Sequence, residues 1–281
     1  MRLGAPVFTN QGDPETFALA HVKKGYTAAY CPDGLKAGQT ENIRRYRDAL
    51  ARHNVTLAEV GVWCNPLSKD EAEAKKNVAY TIERLALAEE LGAKCCVNII
   101  GTWDDRCWYG PCAANFSKDF FDHAVSVSRK IIDAVKPKNT KMTFEVMPFS
   151  FLDSAREYVR FLDALDREGA GVHFDPINCI NSPRLFYDNA AVFAEAFRLL
   201  GDKIDSIHLK DLAIRPDPPS VMFDEVLPGT GGIDYVALMR EIGKLSPDLP
   251  VMLEHLPDEA SYDKAAQAVR GFAAKAGSMI L

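Results

Sequence analysis

Along the chain, short apolar runs rich in β-branched residues alternate with longer stretches whose apolar positions recur every three to four residues. Side chains alternate with period two along a strand and 3.6 along a helix, so this alternation predicts strand, then helix, repeated. The expected strands are 2–8, 27–31, 57–63, 94–100, 141–147, 171–175, 204–209 and 250–255. The expected helices are 14–23, 39–53, 69–92, 117–135, 152–168, 187–200, 233–245 and 259–276. In the third helix Val78, Ile82, Leu85, Ala86 and Ala88 make an apolar stripe beside Glu71, Glu73, Lys75 and Lys76, the pattern of a helix with one buried face. Ser68 and Asp234 stand where N-caps are expected.

Eight strands alternating with eight helices require parallel pairing, because each crossover returns the chain to the same end of the sheet. The expected fold class is therefore α/β, an eight-stranded parallel (β/α)8 barrel formed by residues 1–281 as one domain. The rival, an open doubly wound sheet, carries a glycine-rich turn after its first strand. Here that turn reads Phe8-Thr9-Asn10-Gln11-Gly12, which is no such fingerprint.

Against the apolar runs, four polar residues stand out. They are Glu145, Asp175, His208 and Glu254, at or near the C-terminal ends of the fifth to eighth strands. A charge in such a run is costly to bury unless a metal or partner charge compensates it. Barrel active sites lie at the C-terminal mouth and adjacent strands are about 4.8 Å apart, so the four side chains can converge. Three carboxylates and one imidazole suit a divalent ion: Mn²⁺ first, with Mg²⁺, Co²⁺ or Zn²⁺ as alternatives. The bland alternative is a set of polar mouth residues joined by salt bridges.

These residues, in this strand order, resemble the metal set of the xylose isomerase-like TIM barrel superfamily, and within it the sugar phosphate isomerase/epimerase family. His208-Leu209-Lys210-Asp211 is similar to that family's strand-seven motif, and Pro228-Gly229-Thr230-Gly231 with Ile233-Asp234-Tyr235 resembles its glycine loop. The resemblance implies a metal-dependent isomerase or epimerase of a keto-sugar. It also implies that Glu145 and Glu254 both bind metal and move protons, through an enediolate that the metal stabilises. The alternative keeps the metal but expels a leaving group, as a dehydratase or lyase of a keto-sugar, inosose or 3-keto-glycoside. Two positions depart from the epimerase pattern: no arginine follows Glu145, and Asn178 stands three residues after Asp175 where a histidine is usual.

Around this set, Asn178, Lys210, Trp103, Arg184 and His255 are candidate substrate-binding residues. Lys210 shares the inward face with His208, where it can bind an oxyanion or neutralise the carboxylates. His173, two residues before Asp175, reads as a partner of the ligands or a packed core histidine. Trp63 and Trp108 read rather as packing, and Gly101 to Ser117 as a long loop over the mouth.

Composition then narrows the partners. A net charge of −6 and six histidines disfavour nucleic acid, membrane surfaces and an endonuclease IV-like trinuclear zinc site. A small-molecule carbohydrate is the expected partner, and homo-oligomer formation is left open. The seven cysteines are odd in number and sit largely in apolar runs, which points to free thiols in a reducing cytoplasm.

Overall fold

The protein is described from a computed structural model over residues 1–217 and 220–281. The described residues form ten strands and nine α-helices. The strands are β1 (Arg2–Gly4), β2 (Ala28–Tyr30), β3 (Thr56–Gly61), β4 (Cys95–Ile99), β5 (Lys141–Glu145), β6 (Val172–Phe174), β7 (Ile204–Leu209), β8 (Asp211–Ile214), β9 (Phe223–Val226) and β10 (Pro250–Leu253). The helices are α1 (Pro14–Lys23), α2 (Thr40–Arg52), α3 (Glu71–Leu91), α4 (Lys118–Val135), α5 (Ala155–Leu165), α6 (Pro183–Tyr187), α7 (Asn189–Leu200), α8 (Tyr235–Ile242) and α9 (Glu259–Ala276).

All strands but β8 and β9 close into a parallel barrel of order β1-β10-β7-β6-β5-β4-β3-β2. This is the eight-stranded TIM barrel expected from the alternation. Alternation along each strand sorts the side chains. Phe144 and Phe174 point outward to α5 and α7, where they meet Phe161 at 5.3 Å and Phe197 at 5.6 Å between ring centroids. Their neighbours Glu145, His173 and Asp175 are therefore on the inner face. Tyr158 of α5 fastens the β5–β6 seam: its hydroxyl donates to the Phe144 carbonyl at 2.7 Å and accepts the Phe144 N–H at 3.0 Å. Gly171 is required there, because a Cβ at that position would lie 1.9 Å from Asp205 Oδ2.

Three local differences from the sequence reading have clear causes. β1 stops at Gly4 rather than residue 8, because Pro6 has no N–H to give the ladder. The third helix is capped by Asp70, which accepts the Glu73 N–H at 2.8 Å, while the Ser68 hydroxyl donates to the Glu73 carboxylate at 2.6 Å. β8 and β9 form an antiparallel hairpin directly after β7, with Asp211 opposite Val226 and Ile214 opposite Phe223. All seven cysteines are free. No helix of the described residues is long and apolar enough to cross a membrane.

Candidate active site

The parallel register places the C-terminal ends of β5, β6, β7 and β10 side by side. Glu145, Asp175, His208 and Glu254 are all buried there, and each offers one ligand atom within 4.8 Å of the others. The turn after β6 fixes Asp175: Oδ1 accepts the N–H groups of Ile177 at 2.8 Å and Asn178 at 3.1 Å. Its Oδ2 faces the cluster, 2.9 Å from Lys210 Nζ, yet no hydrogen bond is formed at that angle. His208 Nδ1 is in the same position, 2.6 Å from Glu254 Oε2 and 3.7 Å from Glu145 Oε1 without a hydrogen-bond geometry. Two buried donor atoms thus aim into the same gap as the two glutamates. Three oxygens and one nitrogen arranged this way fit a divalent metal ion.

The charges agree with that fit. Three buried carboxylates in contact are unfavourable without compensating cations. Lys210, itself buried, supplies one: its ammonium donates to Glu254 Oε1 at 2.9 Å and lies 3.1 Å from Glu225 of the hairpin. Burial alone would lower the His208 pKa, but the carboxylates of Glu254 and Glu59 outweigh it and hold the imidazolium well above its usual range. Burial also works against Glu254, yet His208 and Lys210 bring it well below the usual carboxylate range. Asp175 differs: burial pushes it up to about 7 against the pull of Lys210, and the like charges of Glu254 and Glu145 add to the rise.

One layer deeper lies a residue that the sequence reading did not single out. Glu59 of β3 is 1% exposed. It accepts a hydrogen bond from Ser206 Oγ at 3.0 Å, pairs with His208 Nε2 at 3.0 Å, and lies 3.5 Å from His173 Nδ1. Burial would raise its pKa, but His208 and His173 lower it below the usual range. His173 stacks edge-on to His208 at 4.1 Å between ring centroids, and burial and His208 take it down to about 4. Glu59, His173 and His208 also form a compact group of metal-capable side chains. The signal for Glu59 was present: a lone carboxylate in Leu57-Ala58-Glu59-Val60 is the same anomaly that exposed the other four.

Above the cluster opens a cavity of about 610 Å³. Its polar end is Glu145, Asn178, Lys210, Glu225, Glu254 and His255, and its apolar wall is Trp63, Ile99, Trp108, Tyr109, Met147 and Phe149. Asn178 donates to Glu145 Oε1 at 3.0 Å. His255, at a left-handed φ of 57°, turns into the cavity and pairs with Glu225 at 2.7 Å. Trp103 and Arg184 stand elsewhere. The Trp103 ring packs on Phe120 of α4 at 5.1 Å, and Arg184 is exposed on α6. Trp108 and Tyr109 are carried in by the loop after β4. That loop is tied down by buried Asn115, whose amide donates to Thr102 Oγ1 at 2.8 Å and to the Phe149 carbonyl at 2.9 Å. The glycine loop is already occupied by the protein itself. Asp211 Oδ2 accepts the N–H groups of Gly229 at 2.8 Å and Gly231 at 3.0 Å, and a Cβ on Gly231 would meet Asp211 Oδ1 at 2.3 Å.

Comparison with known proteins places this geometry in context. A sequence profile described as xylose isomerase-like TIM barrel matches residues 22–272. A relative of known activity, 3-oxo-isoapionate decarboxylase of Pectobacterium atrosepticum, is 26% identical over 149 residues, 52% of this chain and 50% of that one. The match therefore spans about half the length of that relative. Among solved structures, D-psicose 3-epimerase of Clostridium cellulolyticum superposes with a TM-score of 0.69 at 16% identity, over 99% of this chain and 100% of that one. Endonuclease IV of Thermus thermophilus superposes with a TM-score of 0.71 at 15% identity, over 98% and 100%. At such identities these two structures share the fold.

Proposed function

The chain is a member of the xylose isomerase-like TIM barrel family, and from that premise we propose that it is a divalent-metal-dependent isomerase or epimerase that moves a proton at the carbon beside a keto-sugar carbonyl. The observation that carries this reading is the convergence of Glu145, Asp175, His208 and Glu254 at the base of an aromatic-walled cavity. These four residues would hold the ion. When bound, a cation such as Mn²⁺ would draw electron density from the substrate carbonyl oxygen and acidify the neighbouring C–H. The two glutamates differ in their partners: Glu145 accepts a hydrogen bond from the neutral amide of Asn178, whereas Glu254 is paired directly with the cations of Lys210 and His208, and Glu145 would take the substrate proton. Glu254 serves the opposite face of the bound sugar. Trp63, Trp108 and Tyr109 would cover the sugar's C–H faces and exclude water.

A second reading is supported by that same asymmetry. A lyase that breaks a bond to the carbon beside the carbonyl creates the same carbanion and needs one protonation, which Glu145 alone could supply. The decarboxylase named among the relatives performs a reaction of that class. In this chain Lys210 and His255 would supply cationic contacts for a substrate carboxylate.

Incubation with Mn²⁺ in D₂O separates the readings. An epimerase or isomerase returns an isomeric sugar carrying one solvent deuterium. A decarboxylase releases carbon dioxide from a 3-keto acid and leaves one deuterium at the cleaved position. No exchange at any carbon across ketoses, 3-keto-glycosides and 3-keto sugar acids contradicts both.

A further inference from the structure

The floor beneath the candidate metal site has a polarity that the ligand set does not explain. Glu59 comes from β3, on the far side of the barrel from β7, and is fully enclosed. An ionised carboxylate only accepts hydrogen bonds. Ser206 Oγ donates to Oε2 at 3.0 Å, and His208 Nε2 sits 3.0 Å from Oε1. His208 must therefore carry a proton on Nε2, so Nδ1 is the ring nitrogen that can give up the second proton of the metal-free imidazolium and offer a lone pair to a metal. That nitrogen faces Glu254 Oε2 at 2.6 Å and Glu145 Oε1 at 3.7 Å, inside the group that also contains Asp175.

We propose that Glu59 is a positioning residue that fixes the tautomer and ring orientation of His208, so that Nδ1 is presented to the metal. The proposal rests on the metal-site reading above. His173 supports the same arrangement from the side. Its ring lies edge-on against His208 at 4.1 Å, and its Nδ1 is 3.5 Å from Glu59 Oε2. The imidazole is thus held between a carboxylate below and a ring beside it, with one rotamer and with Nε2 kept protonated. Partners of this kind behind a metal-bound histidine change metal affinity by roughly 10- to 100-fold when removed.

Glu59→Gln is the discriminating variant. It keeps shape, removes the charge, and presents an amide that can donate to Nε2, which would move the proton to Nδ1. Mn²⁺ binding is read from the free-ion electron paramagnetic resonance signal. Unfolding is followed on the metal-free protein, and ring N–H signals by ¹⁵N NMR on the Zn²⁺-loaded protein. We expect the dissociation constant to rise about 10- to 100-fold, and the metal-free thermal midpoint to fall, since the buried His208 charge loses a partner. The wild-type protein should show a slowly exchanging Nε2–H that Glu59→Gln loses. Glu59→Asp, which remains acceptor-only, should recover part of the affinity. Ser206→Ala, which removes a Glu59 partner without touching His208, should change affinity less than about threefold, below the range expected for a direct histidine partner. Equal Mn²⁺ affinity in wild type and Glu59→Gln overturns the proposal. So does a loss of affinity shared equally by Ser206→Ala, the mark of a merely structural role. A wild-type protein that binds no Mn²⁺ overturns the metal-site reading and this proposal together.

Discussion

The two halves of the barrel mouth are built from different materials. Strands β5 to β10 bring Glu145, Asp175, His208, Lys210 and Glu254 to one point, with Glu225 leaning in from the hairpin. Strands β1 to β4 and the loop after β4 bring Trp63, Ile99, Trp108 and Tyr109. Their single carboxylate contribution, Glu59, lies one layer down and reaches across to His208. The contrast shows how a barrel separates charge from shelter. Neighbouring strands in register force like charges together, which only cations make tolerable. The apolar half lowers the local dielectric and so strengthens every charge interaction opposite it.

Breaking the charged half at its proposed proton carrier should have the largest effect. Glu145→Gln is expected to lower kcat by about 10²- to 10⁴-fold in whichever reaction the D₂O experiment identifies, measured at saturating Mn²⁺. Removing the internal cation comes next. Lys210→Met leaves Asp175, Glu225 and Glu254 facing one another, and should cost the metal-free protein about 3–5 kcal/mol in urea unfolding. Mn²⁺ should restore part of that loss, because it binds the folded state alone.

A third test asks what a half-buried carboxylate costs where the nearby cations, Lys141 and Lys94, only partly offset its burial. Asp205 sits on the outer side of β7, and burial raises its pKa to about 7 despite the hydrogen bond it accepts from the Val172 N–H at 3.1 Å. Because the folded pKa lies above the unfolded value near 3.9, the stabilising form is the protonated one. Stability should therefore fall as pH rises from about 4 through 7. Asp205→Asn should flatten that slope and gain about 1–2 kcal/mol at pH 8, after discounting for its partial exposure to solvent. The smallest effect is expected in the sheltering half. Trp108→Ala should raise KM about 2- to 12-fold, the equivalent of 0.5–1.5 kcal/mol of aromatic contact, with kcat nearly unchanged.

Most of this contrast was legible in the sequence on one side only. The charged half announced itself because acids and an imidazole in apolar runs violate the strand pattern, and the period-two rule turned them inward. α1 and α9 coincide with their expected spans, since Asp13 and Asp258 cap them and acidic first turns follow. The sheltering half was harder to read. Whether Trp103 or Trp108 faces the cavity depends on the course of the loop after β4. Long-range bonds from Asn115 to Thr102 and Phe149 fix that course, and they leave no local periodicity. Glu59 carried the same signal as Glu145 but stood alone on its strand, far in sequence from its partners. The hairpin of β8 and β9 was missed because Asp211 to Ile214 continues the apolar run of β7 without a turn signal.

The central claim is that four strand-end residues hold one divalent ion at the charged half of the mouth. Anomalous diffraction from crystals grown with Mn²⁺ tests it most directly. The account predicts a single strong peak about 2.0–2.3 Å from ligand atoms of Glu145, Asp175, His208 and Glu254, with Nδ1 of His208 toward the ion and Nε2 toward Glu59. A peak seated instead among Glu59, His173 and His208, or no peak at saturating Mn²⁺, would contradict it.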